Sequence, residues 1–255
     1  IGILPGSNIA WANQSIVIGA HYDHLGRGWP EVHAGDEGTI HPGADDNARG
    51  VAVLLELARN MASEGGGSRN LVFAAFSGEE AGRLGSQHFV ANPPFPNDQN
   101  RGMINLDAGG RLGNGEIDVH ATGTADEWQH IFRGVGFVTG IRSKNIPARV
   151  GGSDEESFIE AGIPAVHLFT GAHADYHRPS DTAAKIDHAG LVKVATFTKE
   201  ALAYMIERED PMAVRISGRS ESTNARSTPA ASARRVSVGT VPSFDFRGPG
   251  VQVDD

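Results

Sequence analysis

No cysteine occurs among the 255 residues. That absence excludes a disulfide framework, a cysteine-ligated zinc site and a thiol nucleophile. It says little about compartment, because a chain of this length can bury a sizeable core without cross-links. No run approaches the roughly 18 apolar residues that a membrane span requires. Positive charge is in short supply: 22 Lys and Arg face 31 Asp and Glu, for a net charge of −9. An acidic body of this kind argues against nucleic acid or an anionic membrane surface as a partner. Two hydrolase signatures are also missing. Without H-E-x-x-H the helical zinc-protease arrangement is out, and without G-x-S-x-G or cysteine an acyl-enzyme route is disfavoured. The glycines of "GVGFVTG" (134–140) miss the dinucleotide fingerprint by one residue. The chain begins at Ile1 with no signal-peptide pattern, and is read as a processed or trimmed product.

What is present alternates. The runs "SIVIGA" (15–20), "NLVFAAF" (70–76), "GMINLD" (102–107), "EIDVHA" (116–121) and "PAVHLF" (164–169) read as strands. Their near-continuous hydrophobicity suits a sheet covered on both faces. Between them, "NARGVAVLLELARNMA" places Val51, Leu54, Leu55, Ala58 and Met61 at helical spacing before the stop at Gly65 to Gly67. A last helix over about 188–207 aligns Leu191, Val194, Ala195, Leu202 and Met205. Strands alternating with helices predict an α/β three-layer sandwich with a mixed, largely parallel central sheet. This body is expected to cover residues 1–210. Residues 211–235 are Ser/Ala/Arg-rich and read as a flexible, solvated linker, and 236–255 turns strand-like again.

In open α/β sheets, ligands bind beyond the carboxyl ends of the strands. "SIVIGA" runs into His21, Asp23 and His24, and "NLVFAAF" into Glu79 and Glu80. "GMINLD" ends on Asp107, and "PAVHLF" leads through "TGAHADYH" to His177. "HPGADDN" sets Asp45 and Asp46 before the first long helix. Five segments therefore deliver histidine or carboxylate to one edge of the sheet. Two histidines with three or more carboxylates and no sulfur make a nitrogen/oxygen zinc site, with enough donors for two ions. Divalent charge would also offset the repulsion between the adjacent Glu79 and Glu80.

Five motifs, "GAHYDH", "PGADDNARG", "FSGEEAG", "NLD" and "DYHRPSDT", stand in order over about residues 1–207. In these the chain resembles the co-catalytic two-zinc aminopeptidases of metallopeptidase family twenty-eight, which include bacterial leucyl-type aminopeptidases. The resemblance implies a zinc exopeptidase fold and two Zn2+ ions. It implies His21, Asp45, Glu80, Asp107 and His177 as the metal ligands, with Asp45 bridging and a cis peptide between Asp45 and Asp46. It implies Glu79 as general base and Tyr176 as an oxyanion donor. Asp23 and Asp181 are expected to orient His21 and His177 respectively, and Asp46 to support the site or cap the helix that follows. The implied substrates are peptides with a free N-terminus, and the implied location is secreted or periplasmic. The C-terminal stretch resembles the opening strands of a PDZ domain.

Other readings stay open at this stage. Two adjacent glutamates taken alone are more often a solvated helix start. His173 and His177 have the i, i+4 spacing of a helical zinc pair, although Gly171 and Pro179 favour a loop and the single ligand His177. The remaining histidines, His167 among them, read as surface or packing residues, and His24 has no motif role. "GGSDEESFIEAGIP" (151–164) resembles the stretch that borders the specificity pocket and carries Glu155 where many relatives have His, which bears on substrate preference. The rival functions are a carboxypeptidase, a glutaminyl cyclase using one zinc, or an inactive peptide-binding relative.

Overall fold

Strand residues in this protein bury both of their faces, and each face meets different helices. The computed structural model describes residues 1–216 together with 241–242 and 253–254. Along β2 (Ser15–His21), Ile16, Ile18 and Ala20 join one apolar cluster while Val17 joins a second. The same alternation splits β3 (Asn70–Phe76), with Leu71 and Phe73 on one side and Val72, Ala74 and Phe76 on the other. Side chains two apart share a face, so a run apolar at every position must be covered twice. The result is the predicted three-layer sandwich.

The sheet of the main body has seven strands. Besides β2 and β3 these are β1 (Gly2–Leu4), β4 (Asn100–Leu106), β5 (Ile117–His120), β6 (Ser143–Asn145) and β7 (Ala165–Phe169), in the order β1-β3-β2-β4-β7-β5-β6. The β3–β2, β2–β4 and β4–β7 pairs are parallel, while β1–β3 and β7–β5 are antiparallel. On one face lie α1 (Arg49–Ser63), α3 (Trp128–Thr139) and α5 (His188–Glu207). On the other lie α2 (Leu84–Ala91) and α4 (Glu155–Glu160), where Phe89 and Phe158 pack on Phe76.

The α1 face differs from the expected stripe. Leu55 is exposed, and the buried row is Val53, Leu54, Leu57 and Met61. Residues 53, 57 and 61 stack at four-residue intervals over the sheet, which turns Leu55 outward. The sequence reading also passed over β1, β6 and three helices. β1 and β6 are only three residues long, α3 contains two glycines, and α4 begins on two acids.

Residues just past 210 still contact the body: Arg215 N–H bonds the Thr124 carbonyl, Ala213 N–H bonds Glu127, and Met212 is buried. Of the tail, β8 (Val241–Pro242) pairs antiparallel with β9 (Val253–Asp254). The part of the expected 211–235 linker from residue 217 on, and the rest of the tail, lie outside the described residues. Among the described residues, no helix is long and apolar enough to cross a membrane.

Candidate metal centre

The parallel strands β2, β3, β4 and β7 run in the same direction, so their carboxyl ends open on one edge. His21 is the last residue of β2, Asp107 follows β4, and Glu79 and Glu80 follow the turn after β3. Asp46 arrives from the turn that leads into α1. There Asp46 and Asn47 leave helical geometry, with φ/ψ of −116°/87° and −140°/36°. Asn47 anchors the turn by donating from Nδ2 to the Leu106 carbonyl at 2.8 Å.

Asp46 stands at the middle of the cluster. Its Oδ1 lies 3.1 Å from His21 Nε2, and His21 Nε2 lies 3.3 Å from Asp107 Oδ1. Its Oδ2 lies 3.2 Å from His177 Nε2, and that nitrogen lies 3.3 Å from Glu80 Oε2. One carboxylate thus faces two donor sets, His21 with Asp107 and His177 with Glu80. Ligand atoms of His21, Asp46 and Asp107 fall within 4.8 Å of one another, as do those of His24, Asp46 and Glu80. The nitrogen/oxygen make-up, the burial and the divided carboxylate all fit zinc.

Asp45 is a correction. It was expected to bridge, yet its Oδ1 accepts from Arg49 Nε at 2.8 Å and from Gly110 N at 2.5 Å, while Oδ2 faces His173 Nε2 at 2.8 Å. The second acid of "ADDN", not the first, turns into the cluster. The non-proline cis peptide is correspondingly one residue on, between Asp46 and Asn47. Asp181 is a second correction: it does not contact His177 but accepts the backbone N–H of Asp45 and of Asp46, at 2.8 and 3.2 Å, through Oδ2. Its Oδ1 takes Arg111 at 3.1 Å. Asp23 does orient His21, through its backbone: His21 Nδ1–H donates to the Asp23 main-chain carbonyl at 3.0 Å, while the carboxylate, 3.8 Å from that nitrogen, accepts the backbone N–H groups of Glu79 and Glu80. A carbonyl can only accept, so Nδ1 carries the hydrogen and Nε2 is left to face the carboxylates.

Charge follows this crowding. Burial opposes the charged form of His21, but Asp107 and Asp46 outweigh it and raise its pKa well above the usual range. His177 is likewise pushed up to about 10, with Asp46 and Glu80 overcoming burial. Burial also works against ionised Asp46, Asp107 and Glu80, yet their histidine partners hold each below the ordinary carboxylate range. Glu79 is the exception. Burial, reinforced by Asp107, Asp154 and Glu80, pushes it up to about 10. Adjacent glutamates therefore differ sharply: Glu80 hydrogen-bonds two histidines, while at Glu79 burial and the acids Asp107, Asp154 and Glu80 outweigh the opposing charge of His21. The Tyr176 ring stacks on His177 with centroids 3.9 Å apart, and burial near Asp46 and Asp107 raises its hydroxyl pKa.

Sequence reasoning missed the supports. Ser153 donates to Asp107 Oδ2 at 2.7 Å, Asn105 donates to Ser153 at 2.7 Å and to Glu155 Oε2 at 2.9 Å. Glu155 Oε1 lies 3.6 Å from His167 Nδ1, and His167 Nε2 donates to the Asp107 carbonyl. Although burial opposes its charge, Glu155 and Asp107 push His167 up to about 9. Glu155 is thus packed behind Asp107 instead of lining an open pocket, and His167 is part of that support. His24 reaches Glu80 with Nδ1 at 2.8 Å. The available signal was position alone: His24 follows His21 within one motif, and Glu155 lies two residues after Ser153.

Residues 1–202 match the sequence pattern of Peptidase family M28. The chain is 28% identical over 204 residues to a probable leucine aminopeptidase of Arthroderma otae, a match covering 76% of this chain and 53% of that protein. It resembles the solved structure of BSAP, a zinc aminopeptidase from Bacillus subtilis, at a TM-score of 0.70 and 27% identity, covering 82% of this chain and 50% of that one. An aminopeptidase from Aneurinibacillus sp. strain AM-1 superposes at a TM-score of 0.65 with 30% identity, covering 84% and 48%. The chain spans about half the length of these relatives.

Proposed function

We propose that this chain, which belongs to peptidase family M28, carries the catalytic centre of a zinc aminopeptidase that removes N-terminal residues from peptides. The observation that carries the reading is the Asp46 carboxylate, with one oxygen toward His21 and Asp107 and the other toward His177 and Glu80. His21, Asp46 and Asp107 would hold one Zn2+; Asp46, Glu80 and His177 would hold a second. When bound, such ions acidify water and polarise a carbonyl.

The protein groups do the rest. Glu79 sits beside Glu80 and near His21 and serves as general base, taking the proton of the attacking water and delivering it to the departing amine nitrogen. Its raised pKa suits a carboxyl that must hold a proton between those two transfers. Tyr176, held by its stack on His177, offers a hydroxyl to the carbonyl oxygen as negative charge develops there. A neighbouring cation would bring the Glu79 pKa down toward the working range, since positive charge favours the carboxylate.

Replacing Glu79 by Gln keeps the shape and removes the base. The expected result is a fall in turnover of about 10²- to 10⁴-fold with zinc content unchanged, read from aminoacyl-anilide hydrolysis and metal analysis. Unaltered turnover would refute Glu79 as the base. Running the unsubstituted protein on Leu-p-nitroanilide and on N-terminal Gln peptides separates aminopeptidase from cyclase chemistry.

A further inference from the structure

His24 is the histidine that no motif role explains. It follows the end of β2 by three residues, its Nδ1 lies 2.8 Å from Glu80 Oε1, and the same nitrogen is 3.8 Å from Asp46 Oδ2. An ionised carboxylate only accepts hydrogen bonds, so Nδ1 carries the hydrogen. Nε2, on the opposite side, is buried and has no partner among the described residues, as the unprotonated nitrogen of that tautomer would be. The ring cannot swing away easily. Gly43 packs on its face, where a Cβ would stand 2.6 Å from Cγ and 2.7 Å from Cδ2, and the His177 ring meets it edge-on at 5.7 Å.

The two oxygens of Glu80 therefore have different neighbours: Oε1 takes His24, and Oε2 lies toward His177. We propose that His24 is a positioning residue, whose Nδ1–H occupies Glu80 Oε1 and so commits Oε2 to the ion shared with Asp46 and His177. This rests on the two-ion reading given above. Carboxylate ligands are held by donors of this kind, and losing such a donor typically weakens metal affinity about 10- to 100-fold. Without it, Glu80 could turn either oxygen to the metal.

The test is stepwise zinc binding by the metal-free protein, followed in competition with a chromophoric chelator. In His24→Ala one of two binding steps should weaken about 10- to 100-fold, while the other stays within about threefold. His24→Asn, whose amide N–H stands near the former Nδ1, should recover most of the loss; His24→Phe, which fills the space without a donor, should not. Two unchanged steps in His24→Ala would overturn the proposal. So would His24→Asn binding as weakly as His24→Ala, because the histidine would then act other than as an Nδ1 donor. A single step in the unsubstituted protein would remove the two-ion reading itself, and this proposal with it. That failure shows in the parent protein and is distinct from a failure confined to the variants.

Discussion

Neighbouring residues of one type divide into different roles in this protein, and their partners decide which. Asp45 and Asp46 are adjacent, buried acids, yet Asp45 neutralises the buried Arg49 while Asp46 faces the histidines. Their substitutions should therefore separate. Asp45→Asn removes the carboxylate that pairs directly with the buried Arg49, and breaking a buried pair by removing one member costs about 3 kcal/mol or more. Urea unfolding of the metal-free protein should show that loss while zinc stoichiometry is kept. Asp46→Asn should lose metal, because its carboxylate faces both donor sets. If Asp45→Asn loses an ion as readily as Asp46→Asn, the division is wrong. The same logic accounts for Glu155. It resembles a departure in a specificity segment, but its contacts with Asn105 and His167 make it a support beneath Asp107.

At the scale of elements, the site depends on how closely α1 starts against the end of β4. Gly50 lies in the first turn of α1, and a Cβ there would stand 2.7 Å from the Leu106 carbonyl oxygen and collide with Asn47 Oδ1. Asn47 is the residue that ties the Asp46 turn to β4. Gly50→Ala should push α1 outward and costs about 1–3 kcal/mol as overpacking does. Zinc titration of this variant should show weaker binding along with lower stability. Retained affinity with lowered stability would mean the Asp46 turn does not depend on the α1 contact. The loop after β7 is tied from a different direction, through Arg111 to Asp175 and Asp181 and through His173 to Asp45. His177 itself adopts a left-handed backbone, with φ of 55°. That agrees with the expectation of a loop, since two histidines at i, i+4 on a helix would share one face.

For the molecule as a whole, protons and metal compete for the same groups. His21 and His177 have raised pKa values without metal, and Glu79 holds a proton to about pH 10. A histidine whose folded pKa exceeds its unfolded one stabilises fully below about pH 6.5 and loses that contribution as pH rises toward 10. Glu79 acts in the same direction, because the folded state keeps a proton that the unfolded chain releases above about pH 4.5. The metal-free protein should therefore lose stability steadily between about pH 6.5 and 10, measured as a falling unfolding midpoint. Zinc uptake at pH 7 should release protons, as metal binding to protonated ligands does. Calorimetry in buffers of different ionisation enthalpy reads that release directly; an apparent enthalpy independent of buffer would sink the prediction.

Local patterns in the chain were enough for much of this architecture. Apolar runs of strand length, several leading into His, Asp or Glu, already implied a sheet covered on both faces and a polar edge, because burial and residue type are local properties. The apolar run at 70–76 and the helical spacing over 188–207 placed β3 and α5 at their observed bounds. What a one-dimensional reading could not decide was direction. Whether Asp45 or Asp46 turns inward depends on dihedrals at Asp46 and Asn47 and on Asp181, which holds both N–H groups from 135 and 136 residues away. His24 and His167 were passed over for the same reason, since Glu80 lies 56 residues from His24 and the Asp107 carbonyl 60 residues from His167. The sequence by itself determined which chemical groups reach the carboxyl edge. Only the tertiary structure decided which of them face one another, because a side chain's direction is set by long-range hydrogen bonds that no local spacing records.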